Sequence, residues 1–192
     1  MTWRKIAMTL LLVALAAGNW FLAENISAQD PGPKSASVVK PQTFVSLDPV
    51  PLGQEFQIAV NIEIAHGYHM NSHHPSDPYL IPTNLTPQAP AGIEILDTIY
   101  PAGRDQKFTF SPDKPLNVYS GNVTLKLKLR AGTSVPLGAT TIPITLRYQA
   151  CNDTTCLPPV KLPVDAKFVV APANEKARPV HPEIFAPQPS SK

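Results

Sequence analysis

The sequence predicts an all-β fold, an immunoglobulin-like antiparallel β-sandwich with disordered N- and C-terminal tails, and three observations lead there. Apolar and polar residues alternate with a period of two over several segments. Proline supplies 23 of the 192 residues, more than twice the usual share of about 5%, which excludes long helices. One-sided strands must bury their apolar faces against a second sheet, and seven or eight short strands over about 130 residues suit the immunoglobulin arrangement.

Residues 1–28 have the layout of an export signal. Arg4 and Lys5 precede an apolar run from Ile6 to Ala17, and Ile26-Ser27-Ala28 offers a small-residue cleavage site. If retained, the segment would anchor the chain to a membrane, the only membrane contact expected. Either way the rest of the chain is delivered to a compartment where disulfides form. Residues 29–42 read as a linker and 171–192 as a tail, both rich in proline, serine and alanine. The folded domain is expected between 43 and 170.

Strand and helix interiors exclude proline, so the long proline-free windows, Leu52 to His74 and Leu116 to Val135, should hold regular structure. In the first, Phe56, Ile58, Val60, Ile62 and Ile64 alternate with Gln57, Ala59, Asn61 and Glu63. In the second, Val123, Leu125, Leu127 and Leu129 alternate with Thr124, Lys126 and Lys128, which puts both lysines on a wet face. Ile142, Ile144, Leu146 and Tyr148 repeat the pattern. Weaker strands are expected at Thr43 to Leu47, Ile93 to Tyr100, Phe108 to Phe110 and Val160 to Val170, with turns such as Ser120-Gly121-Asn122 between them.

Sixteen basic and fourteen acidic residues leave a net charge of +2, too even a balance for a nucleic-acid surface. The sequence offers no hydrolytic triad, phosphate-binding glycine loop or carboxylate dyad. The chemistry then rests on two cysteines, Cys151 and Cys156, which lie where one strand ends and the next begins, around an Asn-Asp-Thr-Thr loop. A six-residue loop closed by a disulfide removes only about 2 kcal/mol of chain entropy, against nearly 5 for a bridge across about 100 residues. As a fastener the pair is poorly placed, but a short bridge at a hairpin tip is open to an attacking thiolate. From the residues alone, a structural staple and an exchanging bridge both stand.

The segments Tyr148-Gln149-Ala150-Cys151 and Cys156-Leu157-Pro158-Pro159 resemble the active-site hairpin of the N-terminal periplasmic domain of thiol:disulfide interchange protein DsbD and related disulfide-corrector domains. Gly67-Tyr68-His69-Met70-Asn71, Leu80-Ile81-Pro82-Thr83, Tyr100-Pro101 and Leu116-Asn117-Val118-Tyr119-Ser120-Gly121 extend the likeness over the whole expected sandwich. The resemblance implies a periplasmic domain without cofactor. It would pass reducing equivalents between thioredoxin-like domains, cytochrome c maturation proteins among the recipients, with a membrane electron-conduit protein supplied in trans. It makes Cys156 the attacking thiol and Cys151 the resolving one. It also implies a cap loop, here Arg104 to Leu116, whose aromatic side chain covers the cysteines; Phe110 is preferred and Phe108 is the second candidate. Asp153, Asp105 or Asp113 could raise a neighbouring thiol's pKa, and Tyr148 is a further possible modulator.

Two rival readings remain. His66, His69, His73 and His74 fall within nine residues and could make a periplasmic metal-binding module. Alternatively the domain is a structural immunoglobulin-like unit with a fixed disulfide.

Overall fold

The computed structural model describes residues 34–185; the expected signal segment lies outside them. In chain order the strands are β1 (Val39–Val45), β2 (Leu47–Asp48), β3 (Val50–Pro51), β4 (Glu55–Ile64), β5 (His69–Asn71), β6 (Asn84–Pro87) and β7 (Ile93–Ile99). They continue with β8 (Arg104–Phe108), β9 (Ser111–Ser120), β10 (Asn122–Ala131), β11 (Gly138–Tyr148), β12 (Ala150–Cys151), β13 (Val160–Ala171) and β14 (Arg178–Pro179). One helical turn, α1 (Pro182–Phe185), follows.

Two four-stranded sheets, β1-β4-β10-β7 and β3-β13-β11-β6, form the sandwich. The alternation decides which residues meet inside. Ile58, Val60 and Ile62 of β4 and Leu125, Leu127 and Leu129 of β10 are fully buried, as are Ile142, Leu146 and Tyr148 of the facing sheet. Phe56 and Phe168 join the layers, their ring centroids 5.1 Å apart. Lys128 turns outward as expected and pairs with Glu55 at 2.9 Å. Pro143 sits in the exposed phase of β11, one residue outside the stretch that β6 pairs, so its missing N–H breaks no ladder there.

A third sheet, β12-β5-β9-β8, extends the sandwich at one end. The long β11–β13 hairpin keeps an unbroken register from Gly138↔Val170 to Tyr148↔Val160, and its connection supplies β12. β9 turns into β10 through Gly121, whose φ of 68° suits a residue without Cβ.

Several boundaries differ from expectation. The linker read as 29–42 is part of the domain from Ser35 onward: a short 3₁₀ turn at Ser35–Ser37 leads into β1, and Val38 and Val39 are buried. The tail read as starting at Ala171 is docked as far as Phe185. Val180 N–H donates to the Ser46 carbonyl, the His181 ring meets Phe44 edge-on, and Phe185 lies under the Lys126 ammonium. This packing of α1 on β4 accounts for Ala59, which falls in the outward phase and is nonetheless fully buried. Phe108 ends a strand that begins at Arg104, and Phe110 lies in the turn beyond it. The first half of β9 holds Pro112 and Pro115, where the proline rule predicts no strand.

Leu127→Ala is expected to lower unfolding free energy by about 2–5 kcal/mol, since it leaves a cavity between two sheets. Urea denaturation would check this, with a loss below 1 kcal/mol (order of magnitude) contradicting the buried position.

Candidate functional site

The site is a small hairpin inside a larger one. Beyond the last β11–β13 rung, residues 149–159 leave the second sheet and cross to β5, where Ala150 pairs with Met70 and Cys151 with His69. The chain then folds back on itself: Leu157 N–H donates to the Ala150 carbonyl at 2.8 Å and Asn152 N–H to the Thr155 carbonyl at 2.9 Å. Cys151 and Cys156 face each other between those two bonds. The turn is made by Asn152, whose Oδ1 accepts from Thr154 N–H, Thr155 N–H and the Thr154 hydroxyl; this is the local capture of backbone donors for which Asn is favoured in turns.

The cysteines are joined, with Cα atoms 3.9 Å apart. They are not equivalent. Cys151 is fully buried, whereas Cys156 is part exposed.

β5 carries the cysteine hairpin on one side and β9 with its partner β8 on the other. The β8–β9 hairpin is the stretch expected to be a cap loop. At its tip the Thr109 hydroxyl donates to the Asp153 carbonyl in the cysteine turn, so the two hairpins touch. Phe108 is buried and stacks on His69 with centroids 3.9 Å apart; Phe110 stacks on Phe108 at 5.4 Å and is 40% exposed. A small apolar cluster of Phe108, Leu116, Val118 and Leu80 backs the stack. The Lys114 ammonium reaches Asp77 at 2.9 Å, tying this hairpin to the loop after β5.

The remaining sequence candidates are distributed as follows. Asp153 is exposed in the turn, and its charge is felt by His69. Asp105 lies farther down β8, accepting from the Asn117 side chain at 2.7 Å; Asp113 is exposed on β9. Tyr148 is fully buried, and its hydroxyl donates to the Ser35 carbonyl at 2.8 Å. Burial pushes that phenol up to about 12. Ser35 in turn donates from its hydroxyl to the Pro158 carbonyl, so Tyr148 fastens the N-terminal turn that leans on the cysteine segment.

The four histidines do not converge on one point. His66 is exposed, His69 lies under Phe108, and His73 stacks on Tyr100 at 3.6 Å while its Nδ1 meets the Thr83 carbonyl. Among the described residues no group of three or more His, Cys, Asp or Glu side chains is arranged to hold a metal. A groove of about 710 Å³ lined by Ile99, Arg104, Lys126 and Ile184 includes neither cysteine.

In the sequence His69 stands out only as part of a motif and of the histidine cluster. Its place opposite Cys151 depends on a pairing between residues 82 positions apart, which no local pattern encodes. Burial holds its pKa down to about 4, against a smaller upward pull from Asp153. Between the ordinary value of 6.5 and about 4, the unfolded chain binds a proton that the folded chain refuses. Stability from this group is thus present above 6.5 and lost as pH falls toward the folded value. In urea unfolding at pH 7.5 and pH 4.5, the wild-type chain is expected to lose more stability than His69→Phe; equal losses would mean that the imidazole is free to protonate in place.

The profile described as thiol:disulfide interchange protein DsbD, N-terminal, matches residues 35–166. No curated protein matches the chain significantly. Among solved structures, the reduced DsbD N-terminal domain of Neisseria meningitidis is similar at 17% identity and a TM-score of 0.43, over 71% of this chain and 90% of that one. The N-terminal periplasmic domain of ScsB from Proteus mirabilis is similar at 14% identity and a TM-score of 0.45, over 71% of this chain and 48% of that one.

Proposed function

This chain belongs to the DsbD N-terminal family, and we propose that it is a thiol:disulfide exchange domain that carries electron pairs between thioredoxin-like proteins outside the cytoplasmic membrane. The observation that carries the reading is the asymmetric bridge: one cysteine fully buried, its partner part exposed at a hairpin tip. The family is periplasmic and works on partner proteins in trans; which proteins give and take the electrons belongs to the proposal.

A donor thiolate attacks the Cys156 sulfur, the Cys151–Cys156 bond breaks, and Cys151 leaves as a thiolate. The donor's second thiol then attacks the mixed disulfide, so that the donor leaves oxidised and this chain keeps two electrons and two protons. In the forward step the Cys156 thiolate attacks an acceptor disulfide. Cys151 closes back on Cys156 and expels the reduced acceptor. A buried leaving and resolving sulfur beside a part-exposed attacking one suits both halves of the cycle, because a partner is directed to one atom only.

A carrier dithiol in an oxidising compartment must react with partners and not with bulk oxidant. The His69–Phe108–Phe110 stack and the Thr109–Asp153 contact support a shielding role for the β8–β9 hairpin. Phe108 would form its inner layer and Phe110 its outer one. Asp153 and Tyr148 would tune the site less directly, the first by its charge and the second by anchoring Ser35.

With Cys151→Ala, Cys156 is expected to accumulate mixed disulfides with thioredoxin-like proteins of the native host, recovered by non-reducing gels and mass spectrometry, while Cys156→Ala accumulates few. Capture of none by either variant would remove the carrier role. Phe110→Ala and Thr109→Val are each expected to speed reduction of the bridge by dithiothreitol several-fold in stopped-flow measurements, and unchanged rates would leave the hairpin without a shielding role.

A further inference from the structure

His69 is 3% exposed, and its Nε2 has no hydrogen-bond partner among the described residues. Burying a polar nitrogen unpaired is costly, and folded proteins rarely leave such an atom in place without a use for it. One face of the ring is taken by Phe108. Directly across the ladder lies Cys151, and residues opposite each other in an antiparallel pair project their side chains from the same face with Cβ atoms about 4.5–5.5 Å apart. In the oxidised chain the Cys151 sulfur carries no proton and offers Nε2 nothing to accept.

Building on the exchange reading above, we propose that His69 is the hydrogen-bond partner of Cys151 in the reduced state, its Nε2 accepting from the Cys151 thiol that reduction creates. A donor dithiol supplies two electrons and two protons; its own disulfide forms as the Cys151–Cys156 bond breaks, one proton comes to rest on Cys151 Sγ, shared with Nε2, and the other is taken up by Cys156, which gives it to solvent when it ionises for the next attack. The ring proton stays on Nδ1. Reduction therefore satisfies an atom that oxidation leaves unpaired, and the difference favours the dithiol. It also favours the protonated form of Cys151, which leaves Cys156 as the thiolate that meets the partner. Phe108 holds the imidazole plane, so the cap and the proton acceptor are parts of one stack.

The test pairs a redox titration with a spectroscopic reading. In glutathione buffers at pH 7, His69→Phe, which retains a ring against Phe108, is expected to shift the equilibrium toward the bridged form about tenfold, equal to about 30 mV for a two-electron couple. His69→Gln, which restores an acceptor, is expected to recover most of that shift. In the unaltered chain, the His69 Nε2 nitrogen resonance is expected to move on reduction with dithiothreitol, and that of His73 to stay. A purely structural histidine would change the stability of both redox forms and leave the potential alone. Equal potentials for the unaltered chain and His69→Phe, or an Nε2 resonance indifferent to reduction, would overturn the proposal. The resonance decides the matter alone if His69→Phe does not fold. Failure of glutathione to reduce the unaltered chain at any ratio would instead strike at the exchange reading, and dithiothreitol reduction would still report on His69.

Discussion

The site depends on one constraint: the β11–β13 ladder runs without a slip to its last rung, Tyr148↔Val160. A shift of one residue would turn every side chain of β11 to the other face, removing Ile142, Ile144, Leu146 and Tyr148 from the core. The core therefore holds the register, and the register decides where the connecting segment leaves the sheet. From that point Ala150 and Cys151 can only continue onto β5, which buries one cysteine and leaves the other at the surface.

The inequality of the two cysteines follows from their positions and from no difference in their chemistry. Cys151 lies on the rung that β5 shares, opposite His69; Cys156 lies on the return strand, with a four-residue turn between them. A disulfide set wholly in the core would be inert, and one wholly outside would meet every thiol and oxidant. Here one cysteine is buried and the other part exposed. The β8–β9 hairpin reaches the same turn through Thr109.

Much of the fold was legible because burial and alternation report the same thing. β4, β10 and β11 were readable to within a few residues, since their inward positions hold Ile, Val and Leu at every second place. The proline ruler failed at β9, where Pro112 and Pro115 lie near the end of a ribbon paired only by β8 and the short β5. Residues 172–185 were read as tail from composition; their docking rests on a few specific contacts, such as Val180 on Ser46, and not on a periodic apolar face. At the site, the place of the cysteine pair between two strands is readable from its neighbours in the chain, while Phe108 and Phe110 are singled out only by the family resemblance. The role of Tyr148 as an anchor for Ser35, and the place of His69, are readable from neither: both arise from contacts between segments far apart in sequence, 113 residues in the first case.

The Ser35 clasp has a geometric corollary. Because its hydroxyl binds the Pro158 carbonyl, two residues past Cys156, Ser35 itself is held beside the cysteine segment. The other end of the described chain sits over the outer surface of the first sheet, by Phe44 and Lys126. The two ends of the described chain are thus moored to different surfaces, one by the cysteine segment and the other on the back of the first sheet.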